Sequence, residues 1–274
     1  MNVGPFTIVS FHAHPDDEAL LTAGTLARAA ADGHRVVIVV ATRGEAGLAA
    51  TAGAGNLGDR RVDELMASAK AIGAARVVVL GHSDSGSGPV RATRRAFADL
   101  DPRVVAAELA DVLRKEGAHL LTTYDPAGGY GHPDHVQVHR VGAVAARLAG
   151  TPVVLEATVD RELILRVTSV LRRLAVVVPV PRLPAMEQAY TARSDLTHRV
   201  DVQAHLDAKE QSLRAHASQA GGAQGVRTLA LLLRLPRPLR HRVLGTEWFR
   251  EVGRAPSTVL LDDIFATLRA GGTT

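Results

Sequence analysis

The sequence predicts an α/β protein whose core is a Rossmann-like open sheet, mostly parallel, with helices on both faces. Apolar runs of strand length alternate with helix-length segments rich in Ala and Leu through residues 1–160, the pattern of repeated βαβ units. The runs have little polar interruption, as in strands buried on both faces. Ionisable residues follow these runs directly, at the sheet edge where such folds bind ligands.

We therefore expect a catalytic core over residues 1–160. A smaller, irregular C-terminal elaboration over residues 161–274 should pack on that core as a substrate or lid region and should not fold independently.

The individual elements follow in chain order. Strands are predicted at residues 6–11, 36–41, 76–80, 119–123 and 153–159. Helices are predicted at residues 19–32, 61–73, 102–116, 136–149, 163–174 and 202–218. Residues 42–58 form a loop too long for a simple connector, which indicates a functional segment. Prolines exclude residues 176–181 from a central strand.

Composition excludes several kinds of protein. Hydrophobic residues make up 46% and charged residues 22%, which is typical of a globular protein. The absence of Cys excludes disulfides, thiolate metal sites and cysteine nucleophiles. A charge of +4 with 3% aromatics does not indicate nucleic-acid binding. The N-terminus has no basic segment before an apolar stretch, so we expect a cytoplasmic protein.

The first chemical motif is I-V-S-F-H-A-H-P-D-D-E at residues 8–18. Carboxylates are rarely buried unless they are paired or bind a metal. His14 and Asp17 could face one point if a helical turn follows Pro15, and a histidine with a carboxylate suits Zn²⁺ or Fe²⁺. The structural alternative is a capped helix, with Asp16 or Asp17 at the cap.

The second motif is G-H-P-D-H at residues 131–135. It places His132 and His135 at the same predicted sheet edge as the first motif. The structural alternative is a surface turn with a histidine capping the next helix. A ligand from this distant loop would complete three protein ligands and an open position, the pattern of catalytic zinc. A carboxylate beside a ligand could then accept a proton from water, and a histidine opposite could stabilise the developing charge.

These motifs resemble those of the PIG-L/LmbE-like N-acetylglucosaminyl deacetylases. Residues 13–18 match the A-H-P-D-D-E hallmark, and residues 124–135 match the fuller form of the H-P-D-H block. Secondary blocks are similar at residues 42–47, Arg61 with Glu64, residues 84–86 and residues 216–219. The resemblance covers most of the chain and is weakest between residues 160 and 196.

The resemblance implies a set of roles. Zn²⁺, with Fe²⁺ as an alternative, would be held by His14, Asp17 and His135. Asp16 would be the general base. His132, oriented by Asp134, would stabilise the oxyanion with help from Tyr130. Independently of the resemblance, we expect His132 to be cationic if Asp134 or another carboxylate holds its far nitrogen. Substrate contacts are expected from Arg61, Asp84 and Glu45.

The function implied is zinc-dependent removal of an acyl group, expected to be acetyl, from an N-acyl amino sugar or glycoside. Alternatives are an amidase acting on a mycothiol-type conjugate or glycopeptide, a noncatalytic sugar-binding protein, and a metal-dependent phosphoesterase, which usually needs more carboxylates. The expected partner is the small-molecule substrate, with no nucleic acid.

Arg-rich apolar segments at residues 161–184 and 229–244 could touch a membrane. We favour a lid or a homo-oligomer face, in which Arg stems cover apolar surface. His216, on a predicted helical face with Lys209 and Leu213, is interpreted as a packing residue that could reach the cleft rim.

Overall fold

The computed structural model of the 274-residue chain describes residues 4–46, 57–86, 95–174, 187–218 and 233–271. The parts of the predicted segments that fall at residues 47–56, 175–184 and 219–232 lie outside these ranges.

Seven strands form one sheet. Its strands are β1 Thr7–His12, β2 Arg35–Thr42, β3 Arg76–His82, β4 Leu120–Tyr124, β5 Val153–Thr158, β6 His198–Asp201 and β7 Thr246–Glu251. The order is β3-β2-β1-β4-β5-β7-β6. The first five strands are parallel, and β7 is antiparallel to both β5 and β6. The predicted fold class, a mostly parallel open sheet covered by helices, is confirmed.

Helices cover both faces of this sheet. They are α1 Asp17–Leu21, α2 Ala23–Ala31, α3 Leu57–Ile72, α4 Pro102–Glu116, α5 Pro133–Ala149, α6 Arg161–Leu174, α7 Leu206–Ala215, α8 Arg237–Leu244 and α9 Ala266–Gly271. On one face, α2 and α3 join C-terminal residues such as Phe249 in a single core. On the other face, α4 and α5 bury Leu109 and Val138 against the strands.

The strand order places the chemistry. The chain runs outward from β1 through β2 to β3, then crosses back so that β4 lies on the other side of β1. Loops after two such neighbouring strands diverge and leave a crevice at their carboxyl ends. The two predicted motifs, after β1 and after β4, therefore meet at this crevice.

The structure differs from the predicted elements in several places, among them the start of α3, which is at Leu57 instead of residue 61. The helix expected at residues 19–32 is two helices, because Thr22 leaves the helical conformation with φ −135°. The helix expected at residues 202–218 is shorter, Leu206–Ala215, since a 3₁₀ turn at Gln203–His205 precedes it. Strands β6 and β7 were not predicted. Within the described ranges, no helix combines the length and the hydropathy that a membrane crossing requires.

Candidate metal centre

Two helix starts bring the motif residues together. Helix α1 begins at Asp17, shortly after β1, and α5 begins at Pro133, with His132 at its N-cap. Proline is favoured in the first turn of a helix because its missing N–H would have no partner there. His135 follows in the same turn and faces back toward the loop after β1.

His14, Asp17 and His135 converge on one point. Nδ1 of His14 lies 3.3 Å from Oδ2 of Asp17, and Nε2 of His135 lies 3.3 Å from Oδ1 of the same carboxylate. Both histidines are buried. Nε2 of His135 makes no hydrogen bond to any described residue. A buried polar atom without a partner is rare and calls for an explanation. Two imidazole nitrogens and a carboxylate are donors that suit Zn²⁺ or Fe²⁺, so these residues fit a divalent cation.

The far nitrogen of His14 is held by two carboxylates. Its Nε2 lies 3.1 Å from Oδ2 of Asp134 and 3.2 Å from Oδ1 of Asp84. A ligating histidine commonly donates its other N–H to a carboxylate, which fixes the tautomer and the ring. His14, Asp84 and Asp134 could by distance form a metal group of their own. We interpret them instead as a hydrogen-bonded support that leaves Nδ1 of His14 facing Asp17.

His132 supplies the other candidate combination. Nitrogens of His14, His132 and His135 all lie within 4.8 Å of one another, so by distance alone His132 could replace Asp17 as a ligand. However, the His132 ring is tied to its own helix, because Nδ1 accepts the backbone N–H of Asp134 at 3.2 Å. This hydrogen bond caps α5, so the predicted alternative of a helix-capping histidine also holds for His132. It directs Nε2 away from the helix.

The expected charge of His132 and its expected partner need correction. Burial, reinforced by His14 and His135, lowers the pKa of His132 to about 4, so the ring is neutral near pH 7. The Asp134 carboxylate does not hold its far nitrogen. That carboxylate accepts the backbone N–H of Ser85 and of Ala98, both at 3.0 Å, and contacts His14. With Nδ1 accepting a hydrogen bond, neutral His132 carries its proton on Nε2 and can donate there.

Asp16 stands beside this cluster in an unusual backbone conformation. Its φ is 110°, in a region that residues with a β-carbon rarely adopt. It occupies the N-cap position of α1, but its side chain makes no capping hydrogen bond. Oδ1 instead lies 3.2 Å from Nη2 of Arg61. Burial raises the pKa of Asp16 to about 6, although Arg61 opposes the shift.

The residues expected to bind substrate are mostly engaged with the protein. Arg61 is 3% exposed and donates to the carbonyl oxygens of Gly44 and Pro15 at 2.8 and 2.6 Å. Oε1 of Glu45 accepts the backbone N–H of Asp84 at 3.0 Å. Arg61, Glu45 and Asp84 therefore shape the cleft wall through contacts within the protein.

Tyr130 is different, because it is 57% exposed. Its ring centroid lies 5.2 Å from that of His135 and 6.1 Å from that of His132. The phenol therefore stands at the opening of the site.

Two features of the site were not recognised in the sequence. Tyr190 has φ 57° and donates its backbone N–H to the carbonyl of Gly129 at 2.9 Å, which brings the C-terminal region onto the second motif loop. No local sequence pattern predicts a tyrosine with a positive φ. Glu18 belongs to the first motif, but its buried contact with His216 joins residues far apart in sequence.

Comparison with known proteins agrees with this geometry. The sequence profile of the PIG-L family, described as GlcNAc-PI de-N-acetylase, matches residues 9–146. A 1D-myo-inositol 2-acetamido-2-deoxy-alpha-D-glucopyranoside deacetylase of Rhodococcus opacus is 36% identical over 83% of this chain and 86% of its own length.

Solved structures share the fold at lower identity. The N,N'-diacetylchitobiose deacetylase of Pyrococcus horikoshii has a TM-score of 0.59 at 18% identity, covering 90% of this chain and 83% of its own. The 4-carboxy-2-hydroxymuconate hydratase of Pseudomonas putida has a TM-score of 0.58 at 19% identity, covering 93% and 100%. The second is a hydratase, so the fold alone does not fix the reaction.

The chain belongs to the PIG-L family, as both the profile match and the Rhodococcus relative show. It is a deacetylase-type hydrolase, acting on a carbon–nitrogen bond other than a peptide bond. The noncatalytic alternative is thereby set aside.

Proposed function

We propose that this enzyme removes the acetyl group from an N-acetylglucosaminyl glycoside with a small polyol aglycone, of the inositol type that the Rhodococcus relative is named for. One observation carries the proposal. Nε2 of His135, which makes no hydrogen bond among the described residues, lies 3.3 Å from the Asp17 carboxylate at the crevice, beside a second carboxylate, Asp16. A metal site with a neighbouring base is an established way to activate water for amide hydrolysis.

The metal in this proposal is Zn²⁺, with Fe²⁺ as the alternative, held by Nδ1 of His14, the Asp17 carboxylate and Nε2 of His135. A divalent cation at such a site acidifies a water molecule and polarises the amide carbonyl. Asp134 and Asp84 orient His14 from its other nitrogen. Such supporting hydrogen bonds typically change metal affinity by about 10- to 100-fold.

Asp16 acts as the proton acceptor. Asp16 directly precedes the proposed ligand Asp17 in the sequence. Nη2 of Arg61 lies 3.2 Å from Oδ1 of Asp16, which leaves Oδ2 for the attacking water. As the water attacks the acetamide carbon, its proton passes to Asp16. The same proton can be delivered to the amine nitrogen when the carbon–nitrogen bond breaks, so that acetate and a free amine are released.

His132 and Tyr130 stabilise the charge that develops on the carbonyl oxygen. Neutral His132 donates through Nε2, because Nδ1 is occupied by the backbone N–H of Asp134. Tyr130, at the opening of the site, donates its phenol to the same oxygen. Partial desolvation of the phenol oxygen beside the cluster, together with the carboxylates of Asp17 and Asp16, raises the pKa of Tyr130 above its ordinary value of 10, so this group remains a proton donor. Donors already in place where charge develops lower the barrier because they need no reorganisation.

The sugar contacts in this proposal come from the cleft wall beside the metal cluster. Asp84 uses Oδ1 for the N–H of Gly86 and for His14, which leaves Oδ2 for a sugar hydroxyl. Arg61 and Glu45 support the wall around it. Tyr190 packs against Gly129 in the loop after β4. The amidase alternative, on a mycothiol-type conjugate or a glycopeptide, would use the same reacting centre with a larger aglycone.

The test is a substrate panel assayed for free amine. It contains the N-acetylglucosaminyl inositol glycoside, N,N'-diacetylchitobiose, free N-acetylglucosamine and an N-acylated glycopeptide, each incubated with wild type and with Asp16→Asn. The proposal expects the inositol glycoside to give the highest kcat/KM. A preference for the glycopeptide would replace the substrate class, and turnover unaffected by Asp16→Asn would remove the proposed base.

A further inference from the structure

We infer that Glu18 and His216 form a positioning pair that holds the backbone of Asp16 in the conformation needed for proton transfer. The inference rests on the proposed role of Asp16. It concerns two residues that touch neither the reacting atoms nor the proposed metal ligands with their side chains, so they are positioning residues and not catalytic ones.

The backbone at Asp16 needs external support. Its φ of 110° and ψ of −26° lie outside the regions that residues with a β-carbon prefer. Among the described residues other than glycine, only Tyr190 shares a positive φ. Strained conformations of this kind persist only when surrounding contacts enforce them, and they occur preferentially at active sites.

The Glu18 side chain provides this support. Its Oε2 accepts the backbone N–H of Asp16 at 3.0 Å, which closes a tight turn within the motif. This hydrogen bond fixes the peptide plane that sets the direction of the Asp16 side chain. Arg61 acts on the same turn from the other side, through the Pro15 carbonyl at 2.6 Å. Asp16 is thereby held at its amide, at the preceding carbonyl and at its carboxylate.

Glu18 is itself fixed by the C-terminal region. Its other oxygen, Oε1, accepts Nε2 of His216 at 2.7 Å and Oγ of Ser68 at 2.6 Å. The exposed fractions of Glu18, Ser68 and His216 are 0%, 0% and 1%, so water does not compete for these hydrogen bonds. Ser68 also contacts Oγ of Ser212 on α7, at 2.7 Å. A buried carboxylate with charge-assisted partners on both oxygens has little freedom to rotate.

His216 is anchored independently of the active site. It follows the last residue of α7, and two residues later Ser218 donates its N–H and its hydroxyl to the Glu64 carboxylate, at 2.8 and 2.6 Å. Glu64 lies on α3, so the segment is tied to the core. The chain of contacts therefore runs from α3 and α7 through His216 and Glu18 to the Asp16 amide. Without His216, Glu18 would lose its strongest partner and the turn its fixed geometry.

The test compares His216→Leu and His216→Gln with a matched control, Lys209→Met. Lys209 lies on α7 and makes a buried pair with Glu247 at 2.6 Å that does not reach Asp16. We expect His216→Leu to lower kcat by roughly 10- to 100-fold, since small displacements of a reacting group cost about this much. KM and bound metal should stay within about twofold of wild type. His216→Gln, whose amide can donate to Glu18, should recover most of kcat, and Lys209→Met should lower the Tm without lowering kcat.

A double mutant separates this inference from the proposed function. If His216 acts through Asp16, His216→Leu should have no further effect on the residual kcat of Asp16→Asn. Independent, multiplicative losses would overturn the inference, as would a normal kcat or a loss of metal in His216→Leu. If Asp16→Asn itself kept full activity, the proposed base would fail instead. Should His216→Leu not fold, Ser68→Ala is read by the same criteria, with an expected loss of roughly threefold in kcat and none in metal.

Discussion

The parallel strands and the C-terminal region contribute to this enzyme in different ways. The loops after β1 and β4 carry the proposed metal ligands, the proposed base and the proposed oxyanion donors. Residues 187–218 and 233–271 carry none of these groups, yet His216 and Tyr190 contact the turns that present them. Reactive groups are thus local to two strand ends, whereas the contacts that hold them come from across the chain.

Helix α7 shows both kinds of support side by side. Lys209 is paired with Glu247 at 2.6 Å, and that carboxylate accepts the N–H groups of Gly24 and Thr25 at the start of α2. This pair fixes one helix against another. His216, at the other end of the same helix, contacts Glu18 and through it the turn at Asp16. One end of α7 supports the fold, and the other supports the site.

The largest expected effect tests the claim that the ligands come from the strand ends. His135→Ala should lose bound metal and lower kcat/KM by roughly 10³-fold or more, because the cation supplies several kcal/mol of the barrier reduction. Metal content by elemental analysis and turnover are the measurements. The control is His139→Ala, one turn further along α5, where Nδ1 contacts the Tyr124 carbonyl at 3.2 Å. Full metal in His135→Ala would remove it from the ligand set.

The next effect separates the two neighbouring carboxylates of the motif. Asp16→Asn should lower kcat by roughly 10² to 10⁴-fold, the contribution of a general base, while keeping stoichiometric metal. Asp17→Asn should lose both metal and activity, because its oxygens lie 3.3 Å from His14 and from His135. Parallel loss of metal in both variants would mean that the roles are not divided in this way.

The difference between these regions also explains what the sequence could predict. Strands β1 to β5 and the helices between them are continuous local runs, and both predicted motifs stand where those runs end. Strand β6 is only His198–Asp201, and β7 is read as T-E-W-F-R-E. Both contain charged residues, and their pairing partners lie far away in sequence. Their identity as strands depends on antiparallel pairing, of β7 with β5 and of β6 with β7, which no local pattern encodes.

Within the site, residue types were predictable but contacts between loops were not. Asp134 and His132 are two positions apart in the sequence, which suggested that the Asp134 carboxylate orients the His132 ring. The carboxylate instead crosses the crevice to His14, and only the backbone of Asp134 serves His132. In the same way Glu18 could be recognised as part of a motif, while its partner His216 is 198 positions away.

A smaller effect tests the claim that Lys209 stabilises the fold and has no role in the active site. Lys209→Met should lower the free energy of unfolding by about 3 kcal/mol, because removing one partner leaves a buried charge uncompensated. The exposed side-chain fractions of Lys209 and Glu247 are 2% and 1%. Denaturant unfolding checks this, with Arg214→Met as the control. Arg214 pairs with Glu210 on the same helix, but its side chain is 58% exposed, so little change is expected. A lowered kcat in Lys209→Met would contradict the division along α7.

The smallest effect concerns His198, on β6 of the C-terminal region and remote from the metal centre. Burial, with Arg254 adding to it, lowers the pKa of His198 to about 4, while Asp263 opposes the shift. Its Nδ1 lies 2.8 Å from Oγ1 of Thr197, and its Nε2 has no hydrogen bond among the described residues. Oε2 of Glu251 lies 3.9 Å from this Nε2 and is shared with Arg254 at 3.6 Å.

The sign of its effect on stability follows from this lowered pKa. Near pH 7, His198 is neutral in both the folded and the unfolded chain and adds no pH dependence. Below pH 6.5 the unfolded chain takes up a proton at this position, whereas the folded chain does not until about pH 4. Stability is therefore lost as the pH falls through this window, by about 1 kcal/mol between pH 7 and pH 5.5.

In His198→Gln this loss is absent, so the difference in unfolding free energy between wild type and variant should shift by about 1 kcal/mol over that range. Urea unfolding of both proteins at the two pH values measures it, and the other titrating groups cancel in the difference. A difference independent of pH would mean that His198 is protonated equally readily in both states, and that the C-terminal region contributes no acid sensitivity through this residue.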